Sequence, residues 1–250
     1  MGVSVLNDPS NPLLKKFSLL LELTDEERAV LMALQDRCEI IPADTELVHI
    51  NEEYSNTFLI QNGWAYGYVL LADGRQQILS FLLRGDFIGL YTAVFKRAEY
   101  SVRTLTELTV YTIVPERIIE LFSNTPRLAA AVCWSVARES VILAEHMTGI
   151  GRRTAYERTG HLLLELLQRL EAVDLTESTS YEFPVTQHLL ADTLGLTPVH
   201  INRTLRALKK DGMISYDGKR IIIENPSRLR ELTGFDPTYL AQTDMSEGNE

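Results

Sequence analysis

The chain has 250 residues, with 24 Lys and Arg against 34 Asp and Glu and a net charge of −10. That length is enough for one or two domains with real cores, and no apolar run approaches the roughly 20 residues of a membrane-spanning helix. The only cysteines, Cys38 and Cys133, form no CxxC pair; this fits a reducing cytoplasm and argues against a disulfide framework or a cysteine-held zinc.

The start, MGVSVLNDPSNPLLKKF, lacks a basic stretch followed by an apolar core, so no secretory signal is expected. Residues 1–11 carry little pattern and read as loose. Pro12 to Gln35 alternates apolar and charged residues at helical spacing, and Thr24 with Glu27 reads as a capping box before Val30, Leu31 and Leu34. From about Glu39 to Val114 the texture changes to short strand-like runs: EII, ELVHI, TFLIQ, WAYGYVLL, RQQILSFLL, VRTL and LTVYTIV. Asn62-Gly63 and Asp73-Gly74 read as hairpin turns between runs, and Gly85-Asp86 as a further corner. Many short strands at close intervals predict a small antiparallel barrel or jelly roll.

Pro115 opens a short helix. After Pro126 a long helix is predicted to about Ile150, with Leu128, Val132, Val136, Leu143, Met147 and Ile150 as an apolar stripe at three- and four-residue spacing. Such a stripe can pack on the barrel or form a seam with the same helix of a second chain, and its length favours the seam. Gly149 and Gly151 read as a hinge. A further amphipathic helix follows, then the polar loop TESTSYE.

Thr186 to Lys210 reads as two helices joined by a tight turn. Leu190 and Leu194 face inward on the first, Ala191 lets another helix approach, and Gly195 supplies the turn. Thr197 is an N-cap and Pro198 fits the first helical position. Ile201, Leu205 and Leu208 form the inward stripe of the second helix; Val199, Arg203, Arg206 and Lys210 fall opposite. Asp211-Gly212 ends that helix, and MISY and KRIII flank Asp217-Gly218 as a β-wing, with Lys219 and Arg220 at its tip to touch phosphate. The tail after Tyr239 is polar and reads as disordered. Small residue, turn glycine, capped helix, basic outward face and wing together predict a DNA-reading helix-turn-helix. The charge distribution agrees. Residues 151–230 hold 12 basic and 10 acidic residues, a local charge of +2, and the rest of the chain carries −12. Local charge decides phosphate contact.

The motifs GDFIGL, GRRTAYERTGHLLLEL and LGLTPVHINRTLRALKKDGMI resemble the Crp–Fnr family of bacterial transcription regulators over roughly residues 15–235. The resemblance implies an α+β architecture in three parts. These are an N-terminal antiparallel β jelly-roll of the cyclic-nucleotide-binding kind (12–125), a dimerisation helix (126–150) and a winged helix-turn-helix (151–235). It implies a cytoplasmic homodimer that binds an inverted-repeat site on double-stranded DNA, engages RNA polymerase and acts as an activator rather than a repressor. In the family an arginine midway along the recognition helix contacts guanine, and Arg203 matches it; a guanidinium can bond both O6 and N7. A glutamate common four positions earlier is Val199 here, which can touch a thymine methyl but cannot accept from cytosine. Thr197, His200, Asn202 and Arg206 complete the expected contacts.

Cyclic-nucleotide binders in the family place a glutamate after a glycine, for the ribose, and an Arg-Ser or Arg-Thr pair further on, for the phosphate. Here Gly89 is followed by Leu90, and Ser101 is preceded by Tyr100, so both charged ligands are missing. Arg97 and Arg103 stand at the wrong spacing. Independence from cyclic AMP is therefore expected, with any small-molecule effector of unknown identity. Cys38 and Cys133 are expected as buried apolar residues, and His49 as an ordinary strand residue. No cofactor, metal or membrane partner is expected. Two competing readings are a nucleotide-gated member of the same family and a cupin-like metalloenzyme fused to a DNA-binding domain. The latter needs a cluster of His and carboxylate ligands, which a barrel holding only His49 does not offer. No Ser–His–Asp, phosphate-loop or HExxH pattern suggests another enzyme.

Overall fold

A computed structural model describes residues 11–35, 37–53, 56–90 and 97–240. The loose ends expected at 1–10 and 241–250 lie outside the described residues. Two compact units emerge. One takes the described residues up to Gly67 with Phe81–Ala137. The other takes Tyr68–Ser80 with the described residues from Arg138 onward.

Two short helices, α1 (Pro12–Ser18) and α2 (Asp25–Ala33), open the first unit. Asn11 starts α1, its Oδ1 accepting from the Leu13 and Leu14 N–H groups at 3.0 Å. The capping box at Thr24 and Glu27 is present on α2. The strands are β1 (Arg37–Ile41), β2 (Glu46–Val48), β3 (Thr57–Asn62), β4 (Ala65–Leu70), β5 (Gln76–Leu82), β6 (Phe87–Ile88), β7 (Ser101–Thr104) and β8 (Leu108–Ile113). They form two four-stranded sheets, ordered β1-β8-β3-β6 and β2-β7-β4-β5. Val48, Phe58, Ile60, Ala65, Leu82, Ile88, Val102, Leu108 and Val110, drawn from both sheets, meet in one buried cluster. This is the predicted β-roll.

Asp73-Gly74 makes the expected hairpin, with the Leu71 N–H donating to the Arg75 carbonyl at 2.7 Å. Asn62-Gly63 does not. β3 and β4 lie in different sheets, so the pair turns a corner between layers. The Trp64 carbonyl accepts from the Leu105 and Thr106 N–H groups, and a Cβ on Gly63 would stand 2.3 Å from the Glu107 carbonyl oxygen. Glycine is needed there for close backbone approach. Lys16 of α1 is buried against the Gly85-Asp86 corner, its Nζ donating to the Gly85 carbonyl at 2.9 Å and the Asp86 carboxylate at 3.0 Å.

α3 (Pro115–Asn124) leads into α4 (Pro126–Arg152). The expected hinge at Gly149 and Gly151 is helical, and the break falls after Arg152. The second unit continues with α5 (Ala155–Glu171), β9 (Thr176–Glu177), β10 (Ser180–Glu182), α6 (Gln187–Leu194), α7 (Pro198–Lys210), β11 (Ile214–Asp217), β12 (Arg220–Ile223) and α8 (Pro226–Thr233), then a 3-10 turn at Pro237–Tyr239. TESTSYE, expected as loop, supplies β9 and β10, which extend the wing into a sheet ordered β11-β12-β10-β9. Among the described residues no helix is long and apolar enough to cross a membrane. Both cysteines are exposed rather than buried. Cys38 lies on β1, a sheet edge, and Cys133 stands outward on α4, next to the buried Val132.

Helix α5 is the scaffold of this unit. Leu162, Leu163, Leu164, Leu166, Leu167 and Leu170 are all buried, and the Leu163 carbonyl accepts from the buried Tyr181 hydroxyl at 2.9 Å. Gly160 is a close-approach point, since a Cβ there would meet Thr233 Cγ2 at 2.7 Å and Leu229 Cδ1 at 2.9 Å. Thr233 is itself fixed by a 2.8 Å bond to the Leu229 carbonyl, and Leu229 is fully buried. Gly160→Val is expected to destabilise the protein by about 1–3 kcal/mol through overpacking. Urea unfolding checks it: the midpoint should fall with the slope unchanged.

Candidate nucleic-acid interface

The angle between α6 and α7 is set by a few atoms. Gly195 ends α6 at φ 60° and ψ 42°, a left-handed conformation that suits glycine. Its N–H and that of Leu196 both donate to the Ala191 carbonyl, Leu196 at 3.0 Å. Thr197 then caps α7, its Oγ accepting from the His200 N–H at 3.2 Å, with Pro198 in the first turn. Ile201, Leu205 and Leu208 are buried, together with Thr204. Val199, Arg203, Arg206 and Lys210 are exposed on the opposite side, as their spacing predicts. Val199 is 81% exposed. Arg203 and Arg206 make no hydrogen bond or ion pair to a described residue.

Asn202 and His200 stand differently. His200 is half-buried. The Asn202 amide donates from Nδ2 to Gln187 Oε1 at 3.1 Å, tying α7 to the first turn of α6. Gln187 was not among the residues expected at the site; its place just after the Thr186 cap was the available signal. At the far end, the Tyr156 hydroxyl donates to Asp211 Oδ2 at 3.2 Å, pinning the end of α7 to α5. Burial, and then the Asp211 carboxylate, hold the Tyr156 pKa above its ordinary value, so the donor proton stays.

The wing separates its two cations. Lys219 is exposed at the tip. Arg220 is half-buried, donating from Nε to Ser180 Oγ at 3.0 Å and from Nη2 to the Ser180 carbonyl at 3.2 Å, with Glu177 at 3.5 Å. Arg220 therefore braces β12 against β10, and Lys219 is the outward charge.

Each of the four residues expected at an effector pocket is engaged within the first unit. Leu90 packs beside the helical core of the first unit, whereas Tyr100 packs against the cluster inside the roll. The Tyr100 ring lies over Gly67 so closely that a Cβ there would stand 2.8 Å from Cε2. The buried Ser101 hydroxyl accepts from the Ile50 N–H at 3.0 Å. The Gly89 carbonyl accepts from the Thr57 hydroxyl at 3.3 Å. Arg103 lies within salt-bridge distance of Asp44 and Glu46. His49 is more than half exposed and pairs with Glu46 at 3.0 Å. Among the described residues no group of three or more His, Cys, Asp or Glu is placed to hold a metal ion.

The stripe on α4 also divides. Leu128 and Val132 are buried in the core of the first unit, with Leu13, Phe17 and Leu121, and are not available to a partner. Val136, Leu143, Met147 and Ile150 are exposed by 43%, 40%, 72% and 44%. The expected seam is thus shortened at its start, because those first two side chains complete an intramolecular core.

An outward helix carrying unengaged arginines beside a β-wing is a device for reading a DNA groove. Joined to a two-sheet roll, it defines a winged helix-turn-helix transcription regulator. Residues 39–125 match the cyclic nucleotide-binding domain, and residues 157–232 match the Crp-like helix-turn-helix domain. The chain is 32% identical over 170 residues to the transcriptional activator protein FnrL of Cereibacter sphaeroides, covering 66% of this chain and 68% of that one. It is 29% identical over 195 residues to the nitrogen fixation regulation protein FixK of Azorhizobium caulinodans, covering 77% of each. The structure of FixK2 from Bradyrhizobium japonicum superposes with a TM-score of 0.72 at 26% identity, over 78% of this chain and 96% of that one. The chain belongs to the Crp–Fnr family of transcriptional regulators.

Arg203→Ala is expected to cost about 1–3 kcal/mol of discrimination at one base pair of each half-site. Gel-shift competition with single-base operator variants measures it; unchanged preference at every base pair would remove Arg203 from the readout. Lys219→Ala should weaken all sequences alike and lower the salt slope by about one charge. Arg220→Ala should instead lower thermal stability, because Ser180 loses its partner.

Proposed function

We propose that this regulator works as a cytoplasmic homodimer. Its two recognition helices read an inverted repeat on double-stranded DNA, and it activates transcription through contact with RNA polymerase without needing a cyclic nucleotide. The exposed face of α7 carries the reading: Arg203 addresses guanine, Val199 a thymine methyl and Arg206 a phosphate, while Thr197, His200 and Asn202 hold or extend the contact and Lys219 of the wing meets a second phosphate. Val136, Leu143, Met147 and Ile150 form the seam between the long helices of two chains. Their spacings of seven, four and three residues support a parallel pair. Half-sites would then lie roughly 34 Å apart. The functional divisions follow 12–125, 126–150 and 151–235. Activation, rather than repression, is supported by the name of the FnrL relative.

Independence from cyclic AMP and cyclic GMP rests on charge. A phosphate buried in a roll needs a paired cation, because an uncompensated buried charge is expensive. Leu90 and Tyr100 offer an alkyl group and a phenol, the Ser101 hydroxyl already accepts a backbone N–H, and Arg103 is paired with acidic residues.

Leu143→Glu places a charge in the seam, and sedimentation should show monomers with weak binding to a palindrome. A variant that stays dimeric and binds tightly would locate the seam elsewhere. Calorimetry with cyclic AMP and cyclic GMP at millimolar concentration should show no binding, and operator affinity should not change with either. Micromolar binding coupled to operator affinity would establish the nucleotide-gated reading instead.

A further inference from the structure

The second unit encloses a fully buried carboxylate. Glu165 of α5 accepts from His146 Nε2 at 2.9 Å and from the Tyr239 hydroxyl at 3.2 Å on one oxygen, and from Arg169 Nη1 at 3.3 Å on the other. His146, on α4, has its other ring nitrogen, Nδ1, 3.0 Å from the Leu79 carbonyl oxygen. A carboxylate and a carbonyl both only accept. A neutral imidazole has one N–H, so only the imidazolium satisfies both contacts.

Leu79 lies in the hairpin Tyr68–Ser80, which packs in this unit. The same hairpin is held to α6 at two further points. Gln76 Nε2 donates to Asp192 Oδ2 at 2.8 Å, and Gln77 Nε2 donates to the Thr193 carbonyl at 3.1 Å. Those amides do not titrate. On loss of the proton, the remaining N–H is kept by the charged acceptor Glu165, the stronger partner. The Leu79 carbonyl then faces a lone pair.

We propose that His146 is a proton-operated latch: its imidazolium fastens the 68–80 hairpin to helices α4 and α5 of the DNA-binding unit, and deprotonation lets the hairpin go. Because the hairpin also grips α6, and α6 holds Asn202 of α7 through Gln187, the latch makes operator binding depend on pH.

The groups that face His146 come from every neighbouring element. α5 contributes Glu165, Arg169 and His161. α4 contributes Glu145, which is bonded to Arg153 at 2.8 Å and lies 3.5 Å from His161. The C-terminal 3-10 turn contributes Tyr239, and the hairpin contributes the Leu79 carbonyl. Burial alone would lower the His146 pKa. The Glu165 charge, with the hydrogen bonds to Glu165 and Leu79, outweighs burial and the opposing Arg169 and raises it above 6.5. Burial would raise Glu165, yet His146, Arg169 and His161 bring it down to about 2, so it stays ionised. Burial, then Arg153, lower His161 to about 4, so it stays neutral. The latch is therefore fully engaged below 6.5 and fails as pH rises through the raised His146 value.

The test uses the full-length protein. Ring nitrogen NMR of the wild type should show both His146 nitrogens protonated below pH 6.5, with titration above 6.5. Amide exchange in residues 76–80, corrected for intrinsic rates, should accelerate by about tenfold as pH rises from below 6.5 through the His146 titration seen by NMR. In His146→Gln that acceleration should vanish. Operator affinity should change across the same range more in the wild type than in His146→Gln. In Gln76→Ala with Gln77→Ala, the hairpin response should grow. A His146 that titrates at or below 6.5, or hairpin exchange with the same pH profile in wild type and His146→Gln, overturns the latch. A hairpin that responds while operator affinity has the same pH profile in both overturns the link to DNA.

Discussion

Everything α7 shows to solvent depends on α5 being covered on nearly every side. Its leucines are buried against neighbouring helices and the wing sheet, and the Tyr181 hydroxyl reaches one of its own carbonyls. Gly160 lets α8 come within contact distance on one side, while Tyr156 pins the end of α7 on another. A helix packed this way has little freedom to tilt. The angle of α7 is then fixed twice, by α5 beneath it and by the Gly195 corner before it. Reading a groove requires side chains held in a fixed frame, and the frame here is apolar packing around α5 with a few polar bonds through it.

Much of this was legible in the sequence because it was local. Thr197-Pro198, Gly195, the Thr24 capping box and the strand runs each encode their geometry within a few residues, and all appear as expected. The errors arise where the deciding partner is distant. Asn62-Gly63 reads as a hairpin, but its neighbour is the Thr106-Glu107 turn, and the chain changes sheets instead. TESTSYE reads as loop because its residues are polar; it becomes strand because β12 offers an edge to pair with. Leu128 and Val132 carry the same spacing as Val136 and Leu143, so periodicity cannot tell an intramolecular core from a seam. α8 was missed although Asn225-Pro226 and Gly234 mark both of its ends. At the interface, the exposed face of α7 was readable, but the side-chain bonds of Asn202 and Arg220 were not. Those bonds join residues far apart in sequence, and they decide which polar groups are left for DNA.

The roll presents the opposite balance. Its fold follows from strand texture, whereas its chemistry follows from what stands at four positions. Tyr100 lies over Gly67 and Leu90 turns to the helical core, so the two positions that would carry opposite ends of a nucleotide belong to different clusters. Ion pairs tie the helices of this unit to its other parts, as at Lys16–Asp86 and Arg127–Glu27.

The unburdened face of α7 has an evolutionary consequence. Val199, Arg203 and Arg206 hold nothing in place within the chain, so exchanging them costs little stability, and under the proposed readout exchanging Val199 or Arg203 changes operator preference. Asn202 and Thr197, a few ångströms away, support the fold and cannot drift so freely. Under that readout, descendants of this chain move to new sets of genes by altering two base-facing side chains, with the α5 scaffold and the Gly195 corner left untouched. Divergence in target choice is uncoupled from divergence in fold.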